Sequence, residues 1–77
     1  MFSCENIQQK IETYIKGSKA IVTDPRKDNE HFMVTVICTD FENMSLIEQH
    51  RLIYKALDEE IKKGLHSLSI KTKWKET

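Results

Sequence analysis

The stretch Lys63–Thr72, KGLHSLSIKT, decides the fold. It follows an amphipathic helical pattern, carries at its second position a glycine, Gly64, that suits a helix stop, and then alternates from Leu65 onward. A strand that closes the chain directly after a helix must pair with something earlier. The strongest earlier strand is HFMVTVICT, His31–Thr39, rich in β-branched and aromatic residues. Phe32, Val34, Val36 and Cys38 share one face of it; Met33, Thr35, Ile37 and Thr39 share the other, half-polar face.

Between the two strands runs DFENM, read as a connection, and then LIEQHRLIYKALDEEIKKG, read as one long helix. Ser45 and Glu48 form the Ser-x-x-Glu capping signature, and Lys62 and Lys63 sit in the last turn, where cations suit the dipole. Leu46, Ile53, Leu57 and Ile61, widened by Ala56, are the expected core stripe; Asp58 to Glu60 read as a solvated face. Strand, helix, strand is a βαβ unit, which makes its strands parallel with a right-handed crossover.

Upstream, SCENIQQKIETYIKG carries Cys4, Ile7, Ile11, Tyr14 and Ile15 on one helical stripe, with Ser3 as N-cap and Gly17 as stop. KAIVTD is a short strand, and the polar turn PRKDNE joins it to the next as an antiparallel hairpin. The expected fold is a two-layer α+β sandwich of order α-β-β-α-β: a three-stranded mixed sheet with helices on one face. It forms a single domain over residues 1–77, with a core of about 3–72 and a short polar tail, 73–77.

Composition narrows the function. Lys plus Arg and Asp plus Glu both count 12, so the chain is formally neutral, which argues against a protein dedicated to gripping nucleic acid. The two cysteines are far apart, too few for a stapled secreted domain, and point to a reducing, cytoplasmic setting. The first residues hold no apolar run of signal-peptide or membrane-span length. The catalytic signatures HExxH, GxxxxGK and GxGxxG do not occur, and no Ser-His-Asp spacing stands out, so the chain reads as a non-enzyme without a small-molecule substrate.

His66 stands in phase with Leu68 and Ile70 at the start of the last strand. A satisfied core histidine and a metal ligand are both open readings. Parallel pairing places the starts of neighbouring strands at one end of the sheet, about 4.8 Å apart, so His31 and His66 are expected near each other. By the alternation they point to opposite faces. His50 reads as a partly buried helix histidine, and Cys38 and Cys4 as packing residues. Two ligands do not close a metal site in one chain; a second molecule must complete it.

Three stretches in series, EHFMVTVI, IEQHRLIYKALDEEI and LHSLSIKT, resemble the BolA family over roughly Ser18 to Thr72. The resemblance implies a fold similar to a type II KH domain. It also implies a monothiol glutaredoxin as partner, sharing a bridging 2Fe–2S cluster, with glutathione supplied by the partner and no cofactor held by the isolated chain. It makes His66 the cluster ligand. The family's second ligand is usually a Cys or His in the first turn. DPRKDN has neither, as in the IbaG-like branch, which leaves His31 as the candidate. KWKET stops after Trp74, where many members continue into a further helix.

Arg51, Lys71, Lys73 and Trp74 are the candidate partner-binding residues. The alternative function is a KH-like nucleic-acid-binding transcriptional regulator, in which the late lysines meet phosphates and Trp74 stacks a base, with DNA as the possible ligand. That reading lacks the GxxG clamp of KH domains, since the glycines are Gly17 and Gly64 alone.

Overall fold

The computed structural model describes residues 2–76. Met1 and Thr77, the ends of the expected domain and tail, lie outside the described residues. Helix α1 spans Cys4–Tyr14. The Ser3 hydroxyl accepts the Asn6 N–H at 3.1 Å and caps it. Ile7 and Ile11 are fully buried, and each such side chain contributes about 1.5–3 kcal/mol of transfer free energy. Tyr14 does not join the stripe and is 51% exposed. The chain leaves helical torsions at Ile15, which turns inward and is buried in its place.

Strand β1 (Lys19–Thr23) pairs antiparallel with β2 (His31–Ile37), Lys19 opposite Ile37 and Thr23 opposite Met33. The Glu12 carboxylate accepts the Ala20 N–H at 2.9 Å and ties α1 to β1. A 3-10 turn, Thr39–Asn43, follows β2 and buries Phe41. Then come α2 (Leu46–Ala56), α3 (Asp58–Lys62) and β3 (Ser67–Lys73), which pairs parallel with β2 in the sheet order β1-β2-β3. The architecture is the α+β sandwich with a three-stranded mixed sheet, its helical layer built from three helices rather than two.

The helix expected to run unbroken from Leu46 is interrupted at Leu57, whose torsions (φ −104°, ψ 19°) lie outside the helical region. Leu57 stays fully buried, and the turn after it carries Glu60 inward, so Glu60 is not part of a solvated face. Leu46 is 63% exposed and leaves the core stripe, which begins instead at Ile53. Gln49 fastens this end of α2. Its amide donates to the carbonyls of Phe41 (3.0 Å) and Met44 (2.9 Å), and its carbonyl accepts from the Thr72 hydroxyl. The capping box at Ser45 and Glu48 forms in both directions.

The inner sheet face, Ala20 with Phe32, Val34 and Val36, packs with Ile7, Ile11, Ile53, Leu57 and Leu65 into one core. The opposite face presents Lys19, Ile21, Thr23, Met33, Ser69, Lys71 and Lys73 as exposed residues. Lys73, assigned to the tail from sequence, is the last residue of β3; its carbonyl accepts the Cys38 N–H at 3.0 Å. Glu76 then reaches back to Lys19 at 2.9 Å. No helix among the described residues is long and apolar enough to cross a membrane.

Phe41→Ala should lower the unfolding free energy by about 3–5 kcal/mol in urea denaturation, the usual cost of emptying a buried aromatic site. Leu46→Ala should change it by less than about 0.5 kcal/mol. Equal losses at the two positions would contradict this assignment of the core.

Candidate functional site

The parallel register sets His31 opposite Ser67, so β2 and β3 begin together at one end of the sheet. His31 and His66 line one shallow, open recess there, with Pro25, Arg26, Ser67 and Ser69. The two histidines expected near each other do share this recess. His66 itself precedes β3, which starts at Ser67, so the strand alternation does not bind it and its ring is exposed rather than packed.

The two rings are held differently. The His66 Nδ1–H donates to the Gly64 carbonyl at 2.7 Å. A carbonyl only accepts, so this bond places the neutral ring's proton on Nδ1 and leaves the Nε2 lone pair to face outward. That is the arrangement in which metal-binding histidines are oriented, one nitrogen bonded to the protein and the other free. His31 has both nitrogens engaged. Its Nδ1 lies 2.8 Å from the Asp28 carboxylate, and its Nε2 lies 3.4 Å from the Arg26 guanidinium, which donates to it.

The turn between β1 and β2, which from its sequence reads only as polar, builds this lock. Asp24 accepts the N–H groups of Asp28 (3.3 Å) and Asn29 (2.9 Å). Asp28 accepts those of Glu30 (2.9 Å) and His31 (3.1 Å). Lys27 and Asn29 take the left-handed torsions this winding needs (φ 55° and 56°). The hydrogen bond from the Glu30 N–H leads the contacts that pull the Asp28 carboxyl down to about 2, joined by those from the His31 ring and N–H. The Asx-turn signal, Asp24 and Asp28 spaced through PRK, is the clue in the sequence.

The other candidates lie elsewhere. Arg51 is exposed on α2, outside the recess. Lys71 and Lys73 project from the uncovered sheet face along β3. Trp74 follows at the far end of β3, roughly 25 Å from His66 at about 3.3 Å per residue. Its ring, 41% exposed, already carries the Lys75 ammonium at 4.8 Å. His50 is half-buried and Cys38 fully buried in the core, as read from the sequence.

A small α+β sandwich of this strand order, with an exposed histidine ahead of its last strand, describes the class. The chain belongs to the BolA-like family, whose description matches residues 7–77. An uncharacterized protein of Rickettsia prowazekii, RP812, is 36% identical over 70 residues, 91% of each chain. A solved bolA homologue from Coxiella burnetii superposes with a TM-score of 0.80 at 35% identity, over 95% of this chain and 91% of that one. The Arabidopsis thaliana SufE-like protein 1 is 41% identical over 58 residues, 74% of this chain but 16% of its own length. Several curated relatives are thus much longer than the region this chain matches.

The depressed Asp28 carboxyl makes an acid prediction. Its folded value lies below the ordinary 3.8, so the stabilisation is present above that value and lost as pH falls through about 2. A carbon-13 titration of Asp28 should show a midpoint near 2. In Asp28→Asn, the loss of stability between pH 5 and pH 2 should be smaller than in the native chain. A midpoint at the ordinary carboxylate value would refute the lock.

Proposed function

We propose that the protein is a non-catalytic adaptor that binds a monothiol glutaredoxin and shares a 2Fe–2S cluster with it, in iron–sulfur trafficking or iron and redox regulation. The observation that carries this reading is His66: exposed, oriented through Nδ1 by the Gly64 carbonyl, and with no partner at Nε2 among the described residues. Membership of the BolA-like family supports it. The donor set fits a shared group rather than a resident one. One nitrogen is open at His66, both are engaged at His31, and no cysteine among the described residues lines the recess. A 2Fe–2S cluster takes four ligands beyond its own sulfides, typically thiolates, and the recess offers two imidazoles, so in this reading the partner's cysteine and glutathione complete the set. The cluster, when bound, supplies electron or iron–sulfur transfer. The chain's own part is to present His66 at an accessible edge.

His31 is the second-ligand candidate, and Arg26 must release its Nε2 before it can coordinate. Until then its role is to hold the Arg26 guanidinium at the recess, where a cation suits a thiolate-bound, anionic cluster. The partner surface extends most directly from the recess onto Met33, Ser67 and Ser69, and from there along the uncovered face toward Lys71 and Lys73.

A second reading, a nucleic-acid-binding regulator, is favoured by one observation. The outward positions of the three strands carry Lys19, Lys71 and Lys73 and no carboxylate, with Lys19 paired to Glu76 from beyond β3. Phosphate contacts of this kind weaken steeply with salt. Titration of DNA and RNA at two salt concentrations decides it, and no binding at low salt removes it.

Mixing with cluster-loaded monothiol glutaredoxin should change the visible circular dichroism and give a heterodimer on a sizing column. His66→Ala should abolish the new spectrum while the far-ultraviolet spectrum of the chain stays native. His31→Ala should leave the complex formed but shift the spectrum. A spectrum identical to that of the glutaredoxin alone, with no complex, refutes the adaptor.

A further inference from the structure

We infer that the C-terminal cap of α3 sets the tautomer of His66, with Gly64 as the positioning residue for the outward-facing nitrogen. Its purpose rests on the reading of His66 as a ligand; its geometry does not. Two backbone bonds close the cap: the Gly64 N–H to the Ile61 carbonyl (3.1 Å) and the Leu65 N–H to the Glu60 carbonyl (3.0 Å). This is the paired pattern of a Schellman stop. Leu65 is 2% exposed and pins the far side of the cap in the core. On the near side, Lys10 of α1 reaches Glu59 at 3.3 Å and Glu60 at 3.7 Å. The Gly64 carbonyl therefore stands on a segment held from two directions.

Gly64 takes φ +113°, well beyond the left-handed well near about +57° that Asn and Asp also enter. A Cβ built there meets nothing within 4 Å, so torsion and not space demands glycine. The torsions at residue 64 fix the direction of its carbonyl, and that carbonyl is the acceptor for the His66 Nδ1–H. A free neutral histidine prefers its proton on Nε2, the nitrogen a metal would need bare. The cap reverses this preference. Partners that orient a ligand histidine in this way are typically worth about 10- to 100-fold in metal affinity. A glycine that only ended the helix would leave the ring in the tautomer of any exposed histidine.

The test compares nitrogen shifts of the imidazoles in histidine-labelled protein, at a pH where the rings are neutral. Three chains are needed: native, Gly64→Ala, and a synthetic chain with D-alanine at position 64, which enters positive φ freely. The native chain should show His66 predominantly protonated on Nδ1. Gly64→Ala should move it to predominantly Nε2–H, and the D-alanine chain should restore the native pattern. A native chain predominantly protonated on Nε2, or a folded Gly64→Ala chain with the native tautomer, overturns the inference. If Gly64→Ala fails to fold, the native chain decides through the scalar coupling between His66 Nδ1 and the Gly64 carbonyl carbon, whose absence overturns it. None of these readouts involves a glutaredoxin. Loss of the adaptor reading would therefore leave this result standing, and the reverse holds too.

Discussion

The structure depends on the parallel pairing of β2 with β3. Parallel neighbours cannot be joined by a tight turn; they need a crossover of a dozen or more residues. Here the crossover is the 3-10 turn with α2 and α3, and it lays their apolar side chains over Phe32, Val34 and Val36. A domain of this size has little surface to bury and so little stability to spare. The crossover therefore supplies Phe41, Ile53, Ala56 and Leu57 to the core as well as the connection. The same pairing brings His31 and Ser67 into register and puts two histidines remote in sequence at one sheet end.

The layers then divide the work. One sheet face is committed to the core, the other is uncovered and carries lysines with Ile21 and Met33, and the recess end presents the imidazoles. The two histidines are neighbours with unequal freedom. His31 is locked between a carboxylate and a guanidinium, while His66 is bonded through Nδ1 alone among the described residues. That asymmetry comes from backbone detail: an Asx-wound turn on one side and a glycine-capped helix end on the other.

Much of this was legible in the sequence because the period-two and helical patterns are strong. The strands, their pairing, the Ser3 and Ser45 caps and the core face of β2 all follow from it. What escaped depended on tertiary context. Phe41 lies among polar neighbours in a stretch read as a connection, and only the 3-10 turn makes it core. Leu46 and Tyr14 fit their helical stripes but sit at helix ends, where the stripe runs past the core. Glu60 reads as solvated because its neighbours are acidic; the break at Leu57 turns it toward Lys10. At the site, both histidines were named, but not their unequal commitments. Those rest on Asp28, Arg26 and the Gly64 carbonyl, which no periodicity reveals.

The central claim is that His66 offers Nε2 to a group completed by another protein. Nitrogen hyperfine spectroscopy on the reduced complex tests it most directly, using this chain labelled with nitrogen-15 histidine and an unlabelled cluster-loaded monothiol glutaredoxin. The account predicts a strong nitrogen-15 coupling to the cluster that vanishes in His66→Ala. A reduced cluster in a verified complex with no coupling to a labelled histidine of this chain would contradict it.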